Sequence, residues 1–402
     1  MSIFIAILGL AFLVLIHEAG HFFVSLAVGL RPRRFYVGFP PAVLRTKRNG
    51  IEYGIGAIPL GGMVTIPGMH RPIAHDAERR FEHAVSEAPT LRSAYDRLRA
   101  ALDGGNTAAA LTALDELEEA TRGQRLSPGA ATAAGKGFTE LRDALGPDAY
   151  WKASTWRRLV AIAAGPLANV VLAVVLLTVL FMTSSVRPST TIEDVEKGSP
   201  AAEAGLRPGD RVVTIDGQRV TGEGIGEAIV SSRGQELELT VERDGRTFTL
   251  PPIKPEVDDG RYRIGIIRKG VGVGFVDASW RAVKWTGIIT REIVLALAHL
   301  ARGEGRENVS SPIGIVRGSA DAVERGTSSY LWVLSLISIS LALLNLLPLL
   351  PLDGGHILFA VVERARGTFV RREVYERVSV VGLAIVLLLF FVGLSNDISR
   401  LS

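Results

Sequence analysis

The stretch Leu15-Ile16-His17-Glu18-Ala19-Gly20-His21 places three ionisable side chains within a strongly apolar run. Residues 3–16 are almost wholly apolar, and residues 22–28 continue the run after the motif. Side chains four positions apart share one face of an α-helix, so His17 and His21 can bind one metal ion together. The carboxylate of Glu18 then lies where it can hold and deprotonate a metal-bound water. The pattern predicts a metal site inside a helix of membrane-spanning length.

The apolar surroundings argue against a chance match to this motif. Each ionisable group inside an apolar span costs roughly 2.5–3.5 kcal/mol on insertion scales. Three such groups between positions 17 and 21 require something that neutralises them, and a bound metal ion does so. The 402-residue sequence contains no cysteine, which leaves His, Asp and Glu as candidate ligands and excludes disulfides.

Four apolar segments are long enough to cross a bilayer and predict a polytopic α-helical membrane protein. Each is close to the roughly 20 residues that the hydrocarbon core requires. They cover residues 1–30, 157–183, 330–352 and 378–395. Because the first segment carries the metal motif, we expect it to be retained rather than removed as a signal peptide.

Basic residues flank these spans asymmetrically. They follow the first span, precede the second and lie between the third and fourth, at Arg31, Arg33, Arg34, Arg45, Lys47, Arg48, Arg157, Arg158, Arg364, Arg366, Arg371, Arg372 and Arg377. By the positive-inside rule these loops are cytoplasmic, and residues 184–329 then lie outside. The net charge of +4 is mild, so we interpret the cations as topology signals and expect no nucleic-acid partner.

Residues 31–69 predict a β-hairpin associated with the membrane. Asn49-Gly50 between short apolar and aromatic runs is a strong hairpin signal. The later stretch Ile58-Pro59-Leu60-Gly61-Gly62 is apolar, rich in glycine and interrupted by proline. Two interpretations stay open: an ordinary surface hairpin, or a sheet that dips towards the membrane beside the metal site. At membrane depth, non-helical backbone must be buried in protein or face a water cavity.

Residues 70–150 are polar and predict a cytoplasmic helical insert. Residues 84–102 and 107–121 have helical spacing, with the turn-forming Asp103-Gly104-Gly105-Asn106 between them. We expect a helical hairpin, followed by a linker of small residues at 127–137.

Residues 186–270 predict a small β-rich domain outside the membrane. Short strands alternate with turn signals such as Asp216-Gly217 and Asp244-Gly245. The stretch 198–206 (Gly-Ser-Pro-Ala-Ala-Glu-Ala-Gly-Leu) and Pro208-Gly209-Asp210 stand in an order that resembles a bacterial PDZ domain. That resemblance implies binding of an extended peptide at a sheet edge.

Residues 278–302 form another helical segment, with too many charges for a membrane span. The charged side chains are Arg281, Lys284, Arg291 and Glu292. Apolar and cationic residues mixed in this way are typical of a helix that lies along a membrane surface. We therefore expect an amphipathic helix on the outer face.

The third span ends in Asn345-Leu346-Leu347-Pro348-Leu349-Leu350-Pro351-Leu352-Asp353-Gly354-Gly355-His356, where prolines and glycines interrupt the helix. A catalytic zinc site with two histidines needs a third protein ligand and an open position for water. Asp353 can supply that ligand, because the topology places it on the cytoplasmic side, as it does His17 and His21. A simpler interpretation is that Asp353 caps the restarting helix, and both roles can hold together.

Other polar residues offer alternatives at the site. His356 is a rival ligand, or it supports the site from outside the ligand set. Asn345 stands in an apolar run, where its amide can bond a substrate backbone or another helix. Three further histidines match no helix face, and we expect them to be exposed to solvent rather than bound to metal: His70, His75 and His83.

Together these motifs resemble the site-2 protease family. The resemblance rests on His-Glu-x-x-His in the first span, Gly-Pro-Leu-Ala-Asn at 165–169, the PDZ-like segment, and Asn-x-x-Pro-x-x-Pro-Leu-Asp-Gly-Gly at 345–355. It covers nearly all of the chain except the insert, and within the family the chain is similar to bacterial regulator-of-sigma-E proteases. Some members of that family have two PDZ domains, whereas one is evident in this sequence.

The resemblance implies particular roles for site residues. One Zn²⁺ per chain would be held by His17, His21 and Asp353, with Glu18 as the catalytic base. The segment containing Ile58, Gly61 and Gly62 is similar to the membrane-dipping strand that pairs with substrate in the family. Asn345 and Pro348 are additional candidates for substrate contacts.

The implied function is intramembrane proteolysis by a zinc metalloprotease. The expected substrates are single-span proteins of the bacterial inner membrane, such as anti-sigma factors, and the other expected partners are the lipid bilayer and peptides at the PDZ domain. Two other classes stay open on the residues alone. A divalent-metal transporter also places His and Glu within the membrane, but no other span offers a relay. A PDZ scaffold with a structural metal site would normally have four protein ligands.

Overall fold

The computed structural model describes residues 1–184, 187–258, 261–370 and 372–400. Most of these residues are helical, in line with the predicted helical class. The helices are α1 (Ser2–Ala27), α2 (Ala74–Glu87), α3 (Arg92–Asp103), α4 (Thr107–Arg122), α5 (Pro128–Leu145), α6 (Thr155–Thr183), α7 (Pro200–Glu203), α8 (Gly222–Ser231), α9 (Phe275–Ala301), α10 (Pro312–Glu324), α11 (Thr327–Asn345), α12 (Asp353–Arg366) and α13 (Arg372–Ser399).

The strands lie in two regions of the sequence, one before the insert and one between α6 and α9. They are β1 (Arg34–Arg48), β2 (Ile51–Thr65), β3 (Arg187–Val195), β4 (Arg211–Ile215), β5 (Gln218–Arg219), β6 (Leu239–Arg243), β7 (Arg246–Thr249), β8 (Glu256–Asp258), β9 (Arg261–Arg263) and β10 (Ile266–Val271). The chain divides into two compact units. The first comprises Met1–Ala173, Ile289–Arg325 and Leu336–Ser402, and the second comprises Val174–Ile288 and Gly326–Ser335.

Within the described residues, four helices are long and apolar enough to cross a membrane. These are Ser2–Ala27, Thr155–Thr183, Thr327–Asn345 and the part of α13 at Glu373–Ser399. Only 11% to 39% of the residues in their most apolar windows are buried, so large apolar side chains such as Phe4, Phe12 and Phe391 are exposed. Lipid covers such side chains in an integral membrane protein.

Two of these helices end or begin more than three residues from the predicted positions. The third ends at Asn345 rather than at 352, because Pro348 and Pro351 lack the N–H that a continuing helix needs. The fourth is longer than the predicted 378–395, since it begins at Arg372 with a charged turn and continues to Ser399. Hydropathy marks the apolar part of such a helix and not its polar ends.

Strands β1 and β2 form a bent hairpin around Asn49-Gly50. Arg34–Val37 of β1 pair on one side with Gly62–Thr65 in antiparallel order. On the other side they pair with Glu52–Ile55, where the residue numbers of both segments rise together. The outer part of β1 pairs with the start of β2, from Arg48 opposite Ile51 to Ala42 opposite Gly56. The hairpin therefore folds back into a sheet with Gly62–Thr65 at one margin.

The insert is a four-helix domain, and the predicted helical hairpin is wrong. The predicted helix 84–102 breaks at Ala88 before Pro89, because the residue before a proline is disfavoured in the helical conformation. The predicted linker 127–137 belongs to α5, where the Ser127 hydroxyl accepts a hydrogen bond from the Ala130 N–H and Pro128 occupies the first turn.

The small residues of α5 form a packing face. Ala130, Ala134 and Gly137 are buried, and a Cβ on Gly137 would lie 2.7 Å from Cβ of Arg80 and 2.8 Å from Cζ of Phe81. They join a core that includes Phe81, Leu98, Leu114, Leu117 and Phe138. Arg33, which directly precedes β1, connects this domain to the hairpin through 2.9 Å ion pairs with Asp143 and Asp148.

The β-rich segment between α6 and α9 has its own sheet and core. The strand order is β10-β3-β4-β6-β7, with β5 on β4 and a separate β8-β9 hairpin. Fully buried side chains at its centre include Ile192, Val212, Ile225, Leu239 and Val241. Within the stretch 198–206, the short helix α7 covers Pro200–Glu203 after a Ser199 cap.

Helix α9 begins three residues before the predicted amphipathic segment. It is not among the helices that qualify as spans, and its exposed side chains include Phe275, Val276, Trp280 and Val283. Its predicted location along the outer membrane surface stays a prediction.

Candidate metal centre

His17 and His21 lie one turn apart on α1, and both are 7% exposed. The carboxylate of Asp353, the first residue of α12, reaches the same point. His17 Nε2 and His21 Nε2 each lie 3.2 Å from Asp353 Oδ2, and 3.2 Å from one another. The three atoms therefore form an equilateral triangle. Residues more than 330 positions apart in the sequence meet there, as the shared membrane depth led us to expect.

The triangle has the size that a zinc ion requires. In a tetrahedral site with ligand bonds of about 2.0–2.1 Å, neighbouring ligand atoms are about 3.3 Å apart. Three ligands leave one corner of the tetrahedron open, an arrangement typical of catalytic zinc sites rather than structural ones. Within the described ranges, the cluster of possible ligands comprises His17, His21 and Asp353 and does not include His356.

The hydrogen-bonding pattern of His21 also favours a cation. Its Nδ1 lies 3.0 Å from the main-chain oxygen of Ala161 on α6. A carbonyl oxygen only accepts, so Nδ1 carries the proton and Nε2 presents a lone pair. That lone pair faces a carboxylate oxygen of Asp353, which also only accepts when ionised. A metal ion between the two acceptors satisfies both, so the donor set fits zinc.

Close backbone contacts hold Asp353 at the site. A Cβ on Gly354 would lie 2.2 Å from the oxygen of Leu346, and one on Gly355 would lie 2.6 Å from the nitrogen of Leu350. Only glycine lets the loop after α11 pack this closely against the first turn of α12. The capping interpretation of Asp353 is wrong, because Leu352 occupies the cap position and no side chain caps the helix.

The hairpin lies directly against Glu18. A Cβ on Gly62 of β2 would be 2.5 Å from Glu18 Cγ and 3.2 Å from Cδ. One turn further along α1, the ring of Phe22 contacts Phe35 and Tyr53, with centroids 5.0 and 5.9 Å apart. The sheet is thus beside the candidate site, which favours the second of the two sequence interpretations. Its depth in a membrane stays a prediction.

Helix α6 forms the opposite wall of the site, a role that we did not assign from the sequence. A Cβ on Gly20 would be 2.4 Å from the oxygen of Ala164, and one on Gly165 would be 2.2 Å from His21 Nε2. The two glycines therefore allow α1 and α6 to approach closely. Asn169, which is fully buried, lies 3.3 Å from His17 through Nδ2 and Nδ1. A polar amide in an apolar span was the signal that could have found it.

The remaining histidines lie outside the cluster. The Nδ1 of His356 hydrogen-bonds the hydroxyl of Tyr375 on α13. His70 packs edge-on against the same tyrosine ring, with centroids 4.2 Å apart, so it is half-buried and not exposed as expected. His75 and His83 are exposed and pair with neighbouring glutamates on their own helix.

The candidate substrate-binding residues have varied surroundings. Asn345 is the last residue of α11 and is half-buried, whereas Pro348 is exposed in the following loop. Gly61 of β2 has a φ of +87°, a conformation that favours glycine. The backbone of Ile58 belongs to β2, and its side chain is not among those that the structure describes. Contact between these residues and a substrate stays a prediction.

Comparison with known proteins identifies the family. The sequence matches the model of peptidase family M50 over residues 5–389. The chain belongs to peptidase family M50. The predicted resemblance to site-2 proteases is thereby confirmed, and this M50 protein is an integral membrane protein.

Three curated relatives align with nearly the whole M50 chain. The protein named "Regulator of sigma-W protease RasP" from Bacillus subtilis is 28% identical, over 97% of this chain and 96% of its own length. Two proteins bear the name "Putative zinc metalloprotease". One, from Lactococcus lactis, is 29% identical over 99% and 97% of the two chains, and the other, from Agrobacterium fabrum, is 28% identical over 98% and 95%. The expected enzyme class, a zinc metalloprotease, and the zinc cofactor are confirmed.

Proposed function

We propose that this zinc metalloprotease hydrolyses peptide bonds within or beside transmembrane segments, at one Zn²⁺ held by His17, His21 and Asp353. The observation that carries the proposal is the triangle of ligand atoms with 3.2 Å sides, two of which belong to a helix of membrane-spanning length. The set of three protein ligands among the described residues supports catalysis over a structural role. Family membership supports a protease over the metal transporter and the PDZ scaffold.

The chemistry divides between the metal and Glu18. Zinc, when bound, lowers the pKa of a water towards about 7 and polarises the scissile carbonyl. Glu18 accepts a proton from the attacking water and passes it to the leaving amine, so the C–N bond breaks as the amine is protonated. The main-chain oxygen of Ala161 holds the His21 ring, and the first turn of α12 holds Asp353. The ligands beside Glu18 are therefore held in fixed positions while it transfers the proton.

The hairpin is the proposed substrate platform. A transmembrane helix protects its carbonyls by hydrogen bonding, so a substrate must unwind before hydrolysis. In the described strand pairing, Gly62–Thr65 have one neighbouring strand, Arg34–Val37. A substrate strand added at this margin would gain new backbone partners, and Gly62 is in contact with Glu18. Ile58, Gly61 and Gly62 would line the strand.

Two residues, one at the end of α11 and one in the loop after it, are proposed as additional substrate contacts. Asn345 would donate to a substrate carbonyl from the end of the helix, and Pro348 would present an apolar surface in the loop. The glycine-rich contact between this loop and α12 supports the idea, because it fixes the loop beside Asp353. The broken helix also supplies a route by which water could reach the site.

The proposed substrates are single-span membrane proteins that regulate transcription, for example anti-sigma factors. The name of the Bacillus subtilis relative, a regulator of sigma-W, supports this class. The proposed location is the inner membrane of a bacterium, with the insert at 70–150 in the cytoplasm. The β-rich segment 186–270 would be an extracytoplasmic PDZ domain that binds peptides, and α9 would lie along the outer surface of the bilayer.

The experiment is cleavage of a single-span substrate by the purified, reconstituted protein, with the cut mapped by mass spectrometry. We expect a cut within the substrate span that a zinc chelator abolishes. Asp353→Ala should lose both zinc and cleavage, whereas His356→Ala should keep its zinc and serves as the matched control. Cuts confined to the soluble part of the substrate, or a zinc content unchanged in Asp353→Ala, would contradict the proposal.

A further inference from the structure

The side chain of Asn169 is fully buried, yet only one end of its amide has a partner. Nδ2 lies 3.3 Å from His17 Nδ1, whereas Oδ1 has no hydrogen-bond partner in the described part of the chain. A buried polar atom without a partner is rare in native proteins. The surrounding backbone is well held, because the Ser338 hydroxyl donates a 2.8 Å hydrogen bond to the main-chain oxygen of Asn169.

The protonation of His17 decides which end of the amide should face it. His17 Nε2 is the atom that points at His21 and Asp353, so it must be the unprotonated nitrogen if it is to bind metal. The proton of the neutral ring is then on Nδ1. An amide nitrogen opposite Nδ1–H would place two donors face to face.

A half turn of the Asn169 amide about Cβ–Cγ removes the clash of two donors and moves Nδ2 to the position that Oδ1 leaves. It exchanges Nδ2 and Oδ1, which have nearly the same size. Oδ1 then lies opposite Nδ1–H and gains the partner that it lacks. The main-chain oxygen of Ala161 accepts the hydrogen bond from His21 Nδ1–H in the same way, at 3.0 Å. Both histidines would thus donate to acceptors on one helix, eight residues apart.

We infer that Asn169 is a positioning residue for His17. Its Oδ1 accepts the hydrogen bond from Nδ1–H, fixes the tautomer that offers Nε2 to zinc, and sets the orientation of the ring. Asn169 has this role only if His17, His21 and Asp353 hold zinc as proposed above. The competing role is helix packing, in which an amide in an apolar span bonds across helices without affecting the metal.

The test is the zinc dissociation constant of the purified full-length protein, measured by competition with a chelator of known affinity. Loss of such a partner typically weakens metal binding 10- to 100-fold, so we expect about that change for Asn169→Ala. Asn169→Asp keeps an acceptor and removes the donor, and its affinity should stay near that of the wild type. Ser338→Ala is the matched control, because it removes the hydrogen bond to the main-chain oxygen of Asn169 and does not change the contact between Asn169 and His17.

The outcomes separate this inference from the zinc site itself. If Asn169→Ala binds zinc as tightly as the wild type while His17→Ala does not, Asn169 only packs the helices and the inference is wrong. If His17→Ala also keeps its zinc, the proposed site is wrong. Should Asn169→Ala fail to fold, Asn169→Asp decides alone. A folded Asn169→Asp protein that has lost its zinc would show that the amide must donate, which overturns the inference.

Discussion

At the scale of single residues, the centre depends on glycines as much as on ligands. The spacing of His17, Glu18 and His21 within one helix is visible in the sequence because the helix alone brings the side chains together. Gly62 and Gly165 act differently. They matter because they belong to other elements that approach Glu18 and His21 within the distance of one methyl group. No local pattern reports such an approach.

Gly62→Ala should slow cleavage without removing zinc. The new methyl group would lie 2.5 Å from Glu18 Cγ, so the carboxylate must move while His17, His21 and Asp353 stay in place. Misplacement of a catalytic group by about 1 Å can lower the rate about 100-fold, and we expect a fall in kcat of about 10- to 100-fold. The measurement is kcat on a single-span substrate, together with zinc content.

The matched control for this substitution is Gly135→Ala. Gly135 lies in α5 of the insert, and a Cβ there would meet no atom within 4 Å. Its activity and zinc content should equal those of the wild type. A Gly62→Ala protein with the same kcat as this control would show that the hairpin does not constrain Glu18.

Most of the candidate site was predictable from the sequence, whereas its support was not. Asp353 was identified because a carboxylate in a broken span matched the depth of His17 and His21. Asn169 was visible as a polar residue in an apolar run, but its partner depends on how α1 and α6 pack. The half-burial of His70 likewise depends on Tyr375, more than 300 residues away.

At the scale of elements, the length of an apolar run predicted the helices better than the size of the residues did. The four spans follow from hydropathy, because a helix that crosses lipid must be apolar for about 20 residues. For the insert, composition predicted a linker at 127–137 where the structure has a helix. Small residues at 127–137 fit a linker and fit equally a helix face packed closely against its neighbour, and only the tertiary structure distinguishes them.

The β-rich segment contains a buried ion pair that should make its stability depend on pH. Asp210 is fully buried, and Arg243 binds both of its oxygens at 2.6 and 2.7 Å. Burial alone would raise the pKa of Asp210, but the Arg243 guanidinium and the Arg207 backbone N–H hold it below its ordinary value. The lowered pKa means that the folded segment binds a proton less readily than the unfolded chain.

We expect the stabilisation from Asp210 to be complete above its ordinary pKa of about 3.9 and to be lost as the pH falls through the lower folded pKa. Hydrogen exchange of residues 211–250 in the full-length protein measures this. Protection should fall below about pH 4 in the wild type and fall less steeply in Asp210→Asn. Equal slopes in the two proteins would contradict the role of the ion pair.

Arg243→Met should destabilise the same segment at neutral pH, because it leaves the Asp210 carboxylate buried without a cation. Breaking a buried pair in this way costs about 3–5 kcal/mol, and the partial exposure of Arg243 places our expectation at the lower end. Faster hydrogen exchange of β4 and β6 at pH 7 is the measurement. Arg211→Met, which removes an exposed pair with Glu242, is the control and should change little.

At the scale of the whole molecule, the predicted topology divides the chain between two compartments. The sequence contains no cysteine, so single cysteines can be introduced without removing any others. Arg125→Cys in the insert and Thr247→Cys on β7 are both at exposed positions. We expect a membrane-impermeant maleimide to label Thr247→Cys on intact spheroplasts, and Arg125→Cys only after the membrane is opened. The reverse labelling would overturn the topology derived from the basic loops.

The most direct test of the proposed protease is a comparison of the wild type with Glu18→Gln. Both proteins are purified, their zinc content is determined, and each is incubated with a tagged single-span substrate. We expect one zinc per chain in both and loss of cleavage in Glu18→Gln, because the amide cannot accept the proton from water while the three ligands are unchanged. Cleavage at the wild-type rate by a zinc-loaded Glu18→Gln protein would contradict the assignment of Glu18 and of the site built around it.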